Sequence, residues 1–282
     1  MDIFVDVILG IIVVGAFGAL SYAIKIVSVS GLLAGLVVGL TVWLFGGWSW
    51  FVLILLFHLS AAFFTKFKYK RKAKAGLAQE KGGAREWPNV MANGGFPAIC
   101  AALEGLVVFL SLPGEIFLFG FIGAVATMCA DTIATEVGLL SKQTPRLITH
   151  LGEKVEPGTS GGVTILGELG ALIGTVIIGG GGWLLSSFGV QFTNSGTNFG
   201  VFLLIIAIIS GMLGCLVDSI IGATIQGIFK CSVCGKITEK AKHCGEKSIY
   251  QRGIAFFENN MVNFVAATIG GVIAMGLFLI II

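Results

Sequence analysis

Residues 116–140 read IFLFGFIGAVATMCADTIATEVGLL, a hydrophobic run interrupted by Asp131 and Glu136 and closed by Glu136-Val137-Gly138. About twenty apolar residues suffice to cross a bilayer. A carboxylate within such a run is expensive, roughly 3 kcal/mol for an Asp at the centre of a span, so it marks a functional site by default. The polar stretch that follows contains Glu156-Pro157-Gly158-Thr159-Ser160-Gly161-Gly162. A loop rich in exposed backbone N–H groups beside membrane-edge acids suits a phosphate together with a cation.

Seven further apolar runs accompany this one, giving spans at 3–24, 28–46, 48–65, 93–111, 116–140, 162–186, 199–228 and 260–281. The chain is 56% hydrophobic and 12% charged, with 42 glycines, which excludes an ordinary soluble domain. The expectation is an all-α polytopic protein, a single transmembrane domain over 1–282 with eight helices. The fifth and seventh spans are long enough to tilt, break or project. The first follows acidic Asp2 and Asp6 without a basic leader or a clear cleavage site, so it reads as a retained helix.

With eight spans, all 18 Lys and Arg fall on one side. The other side holds Gly46-Gly47-Trp48, Leu112-Pro113-Gly114, the polar run 191–198 and both termini. The positive-inside rule puts both termini outside and the basic loops in the cytoplasm. The net charge of +3 is then a collar at the membrane surface and gives no reason to expect nucleic acid. Three cytoplasmic segments stand out: a basic and Gly-rich loop at 66–92, a phosphate-loop candidate at 141–161, and a Cys/His loop at 229–256. In the first, Lys66–Lys74 reads as a juxtamembrane anchor. Gly82-Gly83 beside Arg85, with Asn93-Gly94 at the mouth of the fourth span, reads as a phosphate grip.

Five acids lie in or at the edge of spans: Glu104, Asp131, Glu136, Glu168 and Asp218. Asp131-Thr132-Ile133 is echoed by Asp218-Ser219-Ile220, which puts two acids at like depth. Three readings stay open. The acids and adjacent hydroxyls suit Mg²⁺ bridging to phosphates. They equally suit a proton or cation pathway, or structural pairing with Arg85, Arg146 or Lys154. Glu104 is the outlier, deep in the fourth span. His58 reads as a core or helix-pairing residue.

Cys231-Ser232-Val233-Cys234 and His243-Cys244 fall in one short loop, a donor set for structural zinc. Free or redox-active thiols are the competing reading; a disulfide is disfavoured on a reducing face. Asn259, Asn260 and Asn263 open the last span. Asn259 can cap that helix, and Asn263, one turn inward, can bind a cation or substrate.

Taken in order, these stretches resemble the membrane-protein family that includes plant phytyl-phosphate kinase and animal transmembrane protein 19. The points of likeness are Gly82-Gly83-x-Arg85 with Asn93-Gly94, Asp131-Thr132-x-Ala134-x-Glu136-x-Gly138, Val155-x-Pro157-Gly158-Thr159-x-Gly161-Gly162, Asp218-Ser219-x-x-Gly222-Ala223, Cys231-x-x-Cys234 with His243-Cys244, and Asn259-Asn260-x-Val262-Asn263. A more distant likeness is to dolichol kinases and CDP-diacylglycerol synthases, whose paired lysines the 154–162 loop lacks.

The resemblance implies phosphoryl transfer from a nucleoside triphosphate, CTP in the plant case, to an isoprenyl monophosphate. Asp131 and Asp218 would hold Mg²⁺, with Glu136 assisting. Arg85, Asn93, Lys154, Gly158, Thr159, Gly161, Gly162, Asn259 and Asn263 would bind nucleotide and acceptor. Cys231, Cys234, His243 and Cys244 would hold a structural Zn²⁺. The isoprenyl tail would lie between spans, in lipid. Rival readings are a polyprenol or other lipid-alcohol kinase, a cation-coupled transporter, and a structural membrane protein with a zinc-stabilised loop. A prokaryotic plasma membrane with the site on its cytoplasmic side is the expected location.

Overall fold

The computed structural model describes residues 3–112, 114–235, 237–239 and 241–281; Met1, Asp2, Pro113, Lys236, Lys240 and Ile282, several of them counted in the charge reading above, lie outside the described residues. Among the described residues, eight helices span the membrane: α1 (Ile3–Ala23), α2 (Val29–Gly46), α3 (Trp48–Lys66), α5 (Trp87–Phe109), α6 (Glu115–Gly138), α7 (Ile165–Ser187), α8 (Gly200–Thr224) and α9 (Asn259–Ile281). A short helix, α4 (Tyr69–Lys74), lies between α3 and α5.

The helix that carries Asp131 is the axis of the bundle. Its most apolar window is 83% buried, against 17–44% for the other seven. Helix α6 packs against α3, α5, α7, α8 and α9. A helix that is apolar all round belongs in the interior, and small residues let its neighbours approach. A Cβ on Gly123 would stand 2.5 Å from the Gly270 carbonyl oxygen of α9, and one on Gly174 of α7 would stand 2.7 Å from the Cys129 carbonyl oxygen. Such contacts replace the hydrophobic effect as the source of helix association in lipid.

Two helix starts follow capping chemistry. Ser28 accepts from the Gly31 amide at the start of α2, and Thr164 accepts from the Gly167 amide at the start of α7. The fourth span begins six residues earlier than its hydropathy indicates, at Trp87, with Pro88 in the first turn, where a missing N–H costs nothing. Asn93 and Gly94 are therefore buried inside α5, not at its mouth. Pro97 also leaves the Asn93 carbonyl without its helical donor.

Among the described residues, the polar segments fold into three small sheets that hydropathy did not foresee. Strands β1 (Arg146–Leu147), β2 (His150–Lys154) and β3 (Gly162–Val163) form one, in the order β2-β1-β3. Strands β4 (Ile228–Lys230), β5 (Ile237–Thr238) and β8 (Ile249–Arg252) form the second, in the order β5-β4-β8; β6 (Lys242–His243) and β7 (Glu246–Lys247) pair as a hairpin. The basic segments meet at one end of the bundle. Val27 bridges Arg85, Lys72 reaches Glu136, and Ser160 reaches Glu239.

Candidate active site

Helices α6 and α8 bring Asp131 and Asp218 together, close enough for each carboxyl group to act directly on the other. Asp218 Oδ2 is buried without a hydrogen-bond partner. Two carboxylates in contact cannot both remain ionised without a compensating cation. A buried carboxyl oxygen without a partner calls for an explanation, and a cation between the two acids is one that fits.

Arg85 approaches from the 75–86 loop. Its amide donates to the Ile26 carbonyl at 2.8 Å, and its carbonyl accepts from the Ser28 amide at 2.9 Å, stitching this stretch to the α1–α2 turn. Gly31 lies beneath it, because a Cβ there would collide with the Arg85 carbonyl. Gly82 and Gly83 turn the chain into place with φ of +67° and +86°. Burial pulls the Arg85 pKa below its ordinary value, and the nearby charges of Glu136 and then Asp131 oppose that shift. A guanidinium remains protonated under such a shift.

Glu136 is not beside the aspartates as a free ligand. Its Oε2 is bound by Lys72, both side chains are buried, and Lys72 also donates to the Phe64 and Thr65 carbonyls at 3.0 Å each. Lys72 thereby departs from the anchoring role expected of the basic run. Glu136 Oε1 has no partner.

The 156–162 loop packs on the end of α8. Gly161, at φ +77°, lies so close that a Cβ would stand 2.7 Å from the Ser219 carbonyl oxygen and 2.5 Å from Ala223 Cβ. The amides of Thr159 and Gly162 are used within the loop, donating to Glu156 and Thr159 carbonyls. Those of Gly158, Ser160 and Gly161 have no backbone acceptor among the described residues. Ser160 Oγ donates to Glu239 Oε1 at 2.8 Å, and the charge of Glu239 acts on both Asp131 and Asp218. Nothing in the sequence singled out Glu239, an acid in a lysine-rich loop.

Asn263 of α9 donates to Asn93 at 3.1 Å, and Asn93 donates to Asn89 at 3.2 Å, a buried amide relay between α9 and α5. Asn259 occupies the first position of α9 and is exposed, with Glu258 preceding it as the cap. Lys154 is exposed on β2; no hydrogen bond or ion pair joins it or Asn259 to the aspartates among the described residues. Glu168 is exposed in the first turn of α7, where a carboxylate favours the helix dipole. Glu104 is buried near Gly114 and Glu115, at the far end of α5.

Arg85, Asn89, Asn93 and Thr132 also line the polar head of a cavity of about 150 Å³ among α1, α2, α3 and α5. His58 lines it too, hydrogen-bonded to Ser21 at 3.0 Å, so the helix-pairing reading of this histidine holds. Ser21 and Thr65 add two hydroxyls, and the remaining wall is apolar or glycine.

In the Cys/His loop, donor atoms of Cys231, Cys234, His243 and Cys244 all lie within 4.8 Å of one another. His243 Nδ1 is 3.6 Å from Cys234 Sγ and 3.2 Å from Cys244 Sγ. Three sulfurs and one imidazole nitrogen are the donor set of a structural zinc site. The Cys231 sulfur accepts from the amides of Val233 and Cys234 at 3.4 Å. The Cys234 amide leads in pulling this thiol down to about 6, against desolvation. Neighbouring Cys234 pushes Cys244 up to about 11.

The profile of the integral membrane protein family DUF92 matches residues 12–271. The chain belongs to the DUF92 family. Among its relatives, the DUF92 protein is 31% identical over 255 residues to Protein PGR of Arabidopsis thaliana, covering 87% of each chain. It is 29% identical over 246 residues to an uncharacterized membrane protein of Methanocaldococcus jannaschii, covering 87% of this chain and 83% of that one. It is 23% identical over 249 residues to Protein VTE6, chloroplastic, of Arabidopsis thaliana, covering 88% of this chain and 64% of the other. No solved structure matches this DUF92 chain.

Proposed function

We propose that this protein is a membrane kinase that transfers the terminal phosphoryl group of a nucleoside triphosphate, CTP by its resemblance to phytyl-phosphate kinase, to an isoprenyl monophosphate. The supporting observation is the closeness of Asp131 and Asp218, with one oxygen orphaned, beside a half-buried Arg85 that heads a largely apolar cavity. Hard carboxylate oxygens of this kind fit Mg²⁺, held by Asp131 and Asp218 with Glu239 within electrostatic range. When bound, Mg²⁺ supplies charge neutralisation across the transferring phosphates.

The remaining work is positioning. An oxygen of the acceptor phosphate attacks the γ-phosphorus as the bond to the β-phosphate oxygen breaks, giving an isoprenyl diphosphate and a nucleoside diphosphate. That acceptor oxygen is ionised near neutral pH, so the step asks for no strong base. Arg85 holds the acceptor phosphate, and the free amides of the 158–161 loop receive nucleotide phosphates. The Asn263–Asn93–Asn89 relay orients the acceptor head. By the positive-inside rule this end faces the cytoplasm, the plasma membrane in a prokaryotic host. Cys231, Cys234, His243 and Cys244 would hold a structural Zn²⁺, which would steady the loop that presents Glu239.

The test is detergent-purified protein with Mg²⁺, CTP or ATP, and geranylgeranyl phosphate or the free alcohol. Formation of the diphosphate by wild type and its loss in Asp131→Asn are expected. Phosphorylation of the alcohol alone would transfer the reading to a lipid-alcohol kinase, with the aspartate pair taking the hydroxyl proton. No product from either acceptor would sink both.

A further inference from the structure

On the α2 face toward α1 and α3, Gly31, Gly35 and Gly39 recur at every fourth residue and so share one side of the helix. Two of the three are explained by packing. Gly31 admits the Arg85 carbonyl, and a Cβ on Gly39 would stand 2.8 Å from Val14 Cγ1. Gly35 is different: an added Cβ would meet nothing within 4 Å, although Gly35 lines the cavity wall. A glycine inside a helix weakens it relative to alanine. At Gly35 no neighbouring chain accounts for it; what it preserves is open space.

That space has direction. Its head carries Arg85, Asn89, Asn93 and Thr132, next in the chain to Asp131. Its apolar body runs to Phe17, Phe51 and Leu55. The same three residues line a second, hydrophobic groove of about 400 Å³, which continues past Leu9 and Trp43 to Trp48 at the start of α3. The rings of Phe17 and Phe51, tilted at 58° with centroids 6.4 Å apart, line both spaces. Shared walls at Phe17, Phe51 and Leu55 set the two spaces side by side, with a cationic, amide-rich head near the acid pair at one end and an apolar groove reaching Trp48 at the other.

Resting on the kinase reading, we infer that the two spaces form one path that holds the acceptor's prenyl chain inside the protein, phosphate toward Arg85, that Gly35 keeps its first compartment open, and that Phe17 with Phe51 forms the constriction a longer chain must pass. The ligand class is a linear isoprenyl monophosphate. On this inference the tail leaves bulk lipid for a protein-lined path, whose far part, at Leu9 and Trp48, is exposed on the bundle surface.

Two measurements test it on the full-length protein in detergent: binding of geranylgeranyl phosphate by native mass spectrometry, and the ratio of turnover on geranylgeranyl phosphate to that on dimethylallyl phosphate. In the series Gly35→Ala, Gly35→Leu and Gly35→Phe, the ratio should fall progressively, by about tenfold or more at Phe, the equivalent of one lost set of apolar contacts. Binding of the long lipid should fall in step, whereas Phe17→Ala should raise the ratio. Equal losses on both acceptors, or an unchanged ratio and unchanged binding in Gly35→Phe, would overturn the channel. The kinase reading fails separately: Gly35-dependent binding without turnover by wild type supports the channel and refutes the kinase, and turnover with a Gly35-independent profile does the reverse.

Discussion

The ammonium of Lys72 lies against the Glu136 carboxylate inside the bundle, 64 residues away in sequence, with side-chain exposures of 1% and 2%. A buried pair is weak evidence of net stability, but breaking one partner leaves an uncompensated charge. Lys72→Met should destabilise the protein by about 3–5 kcal/mol. The double variant Lys72→Met, Glu136→Gln should recover most of that loss, because neither residue then carries a buried charge. Thermal unfolding in detergent, analysed as a double-mutant cycle, measures the coupling. Independent, additive losses would show that the pair does not act as one unit.

Ser160 and Glu239 tie the phosphate-loop candidate to the Cys/His loop. If Glu239 supports the cation held by Asp131 and Asp218, Glu239→Gln should raise the Mg²⁺ concentration needed for half-maximal activity by about 10–100-fold, the usual cost of losing a supporting ligand shell. Ser160→Ala, which removes only the donor to Glu239, should show a smaller shift in the same direction. A magnesium titration of both variants decides it; unchanged profiles would leave Glu239 a loop latch only.

The eight spans were legible because a bilayer demands long apolar runs, and such runs survive in a single sequence. The start of α5 was not, because Trp87-Pro88-Asn89 looks like a loop by hydropathy while it carries a helix-start proline. The convergence of Asp131 with Asp218 followed from their like depth in two spans. Lys72 and Glu239 were hidden for a common reason: each is one charge among several in a polar segment, and only tertiary structure chooses which is buried or turned inward. The cavities behind the proposed channel were hidden for another. In lipid both faces of a helix are apolar, so hydropathy does not separate a wall facing a cavity from one facing acyl chains. The small sheets are mostly two- or three-residue strands, too short for an alternating pattern.

The Cys/His cluster predicts one zinc per chain. Cys231→Ser with Cys234→Ser should abolish bound zinc by elemental analysis, since two of four donors are lost. Metal binding to such loops is coupled to their folding. Hydrogen exchange in 228–252 should therefore rise in this variant while the spans remain protected. Zinc content equal to wild type would remove the site.

Asp131 and Asp218 act as a pair in the proposed chemistry, so their substitutions should not add. Asp131→Asn and Asp218→Asn should each lower kcat by about a hundred- to a thousandfold, the range for losing one preorganised charge at a transition state. The double variant should fall little further, because the first change already disables the shared site. Arg85→Lys offers the contrast. It keeps the charge but loses the planar fork that grips a phosphate at two points, so acceptor KM should rise while the magnesium requirement stays fixed. Steady-state kinetics on the four proteins separates the roles. Additive losses for the two aspartates, or a magnesium shift in Arg85→Lys, would mean that the residues divide the work differently from the arrangement proposed.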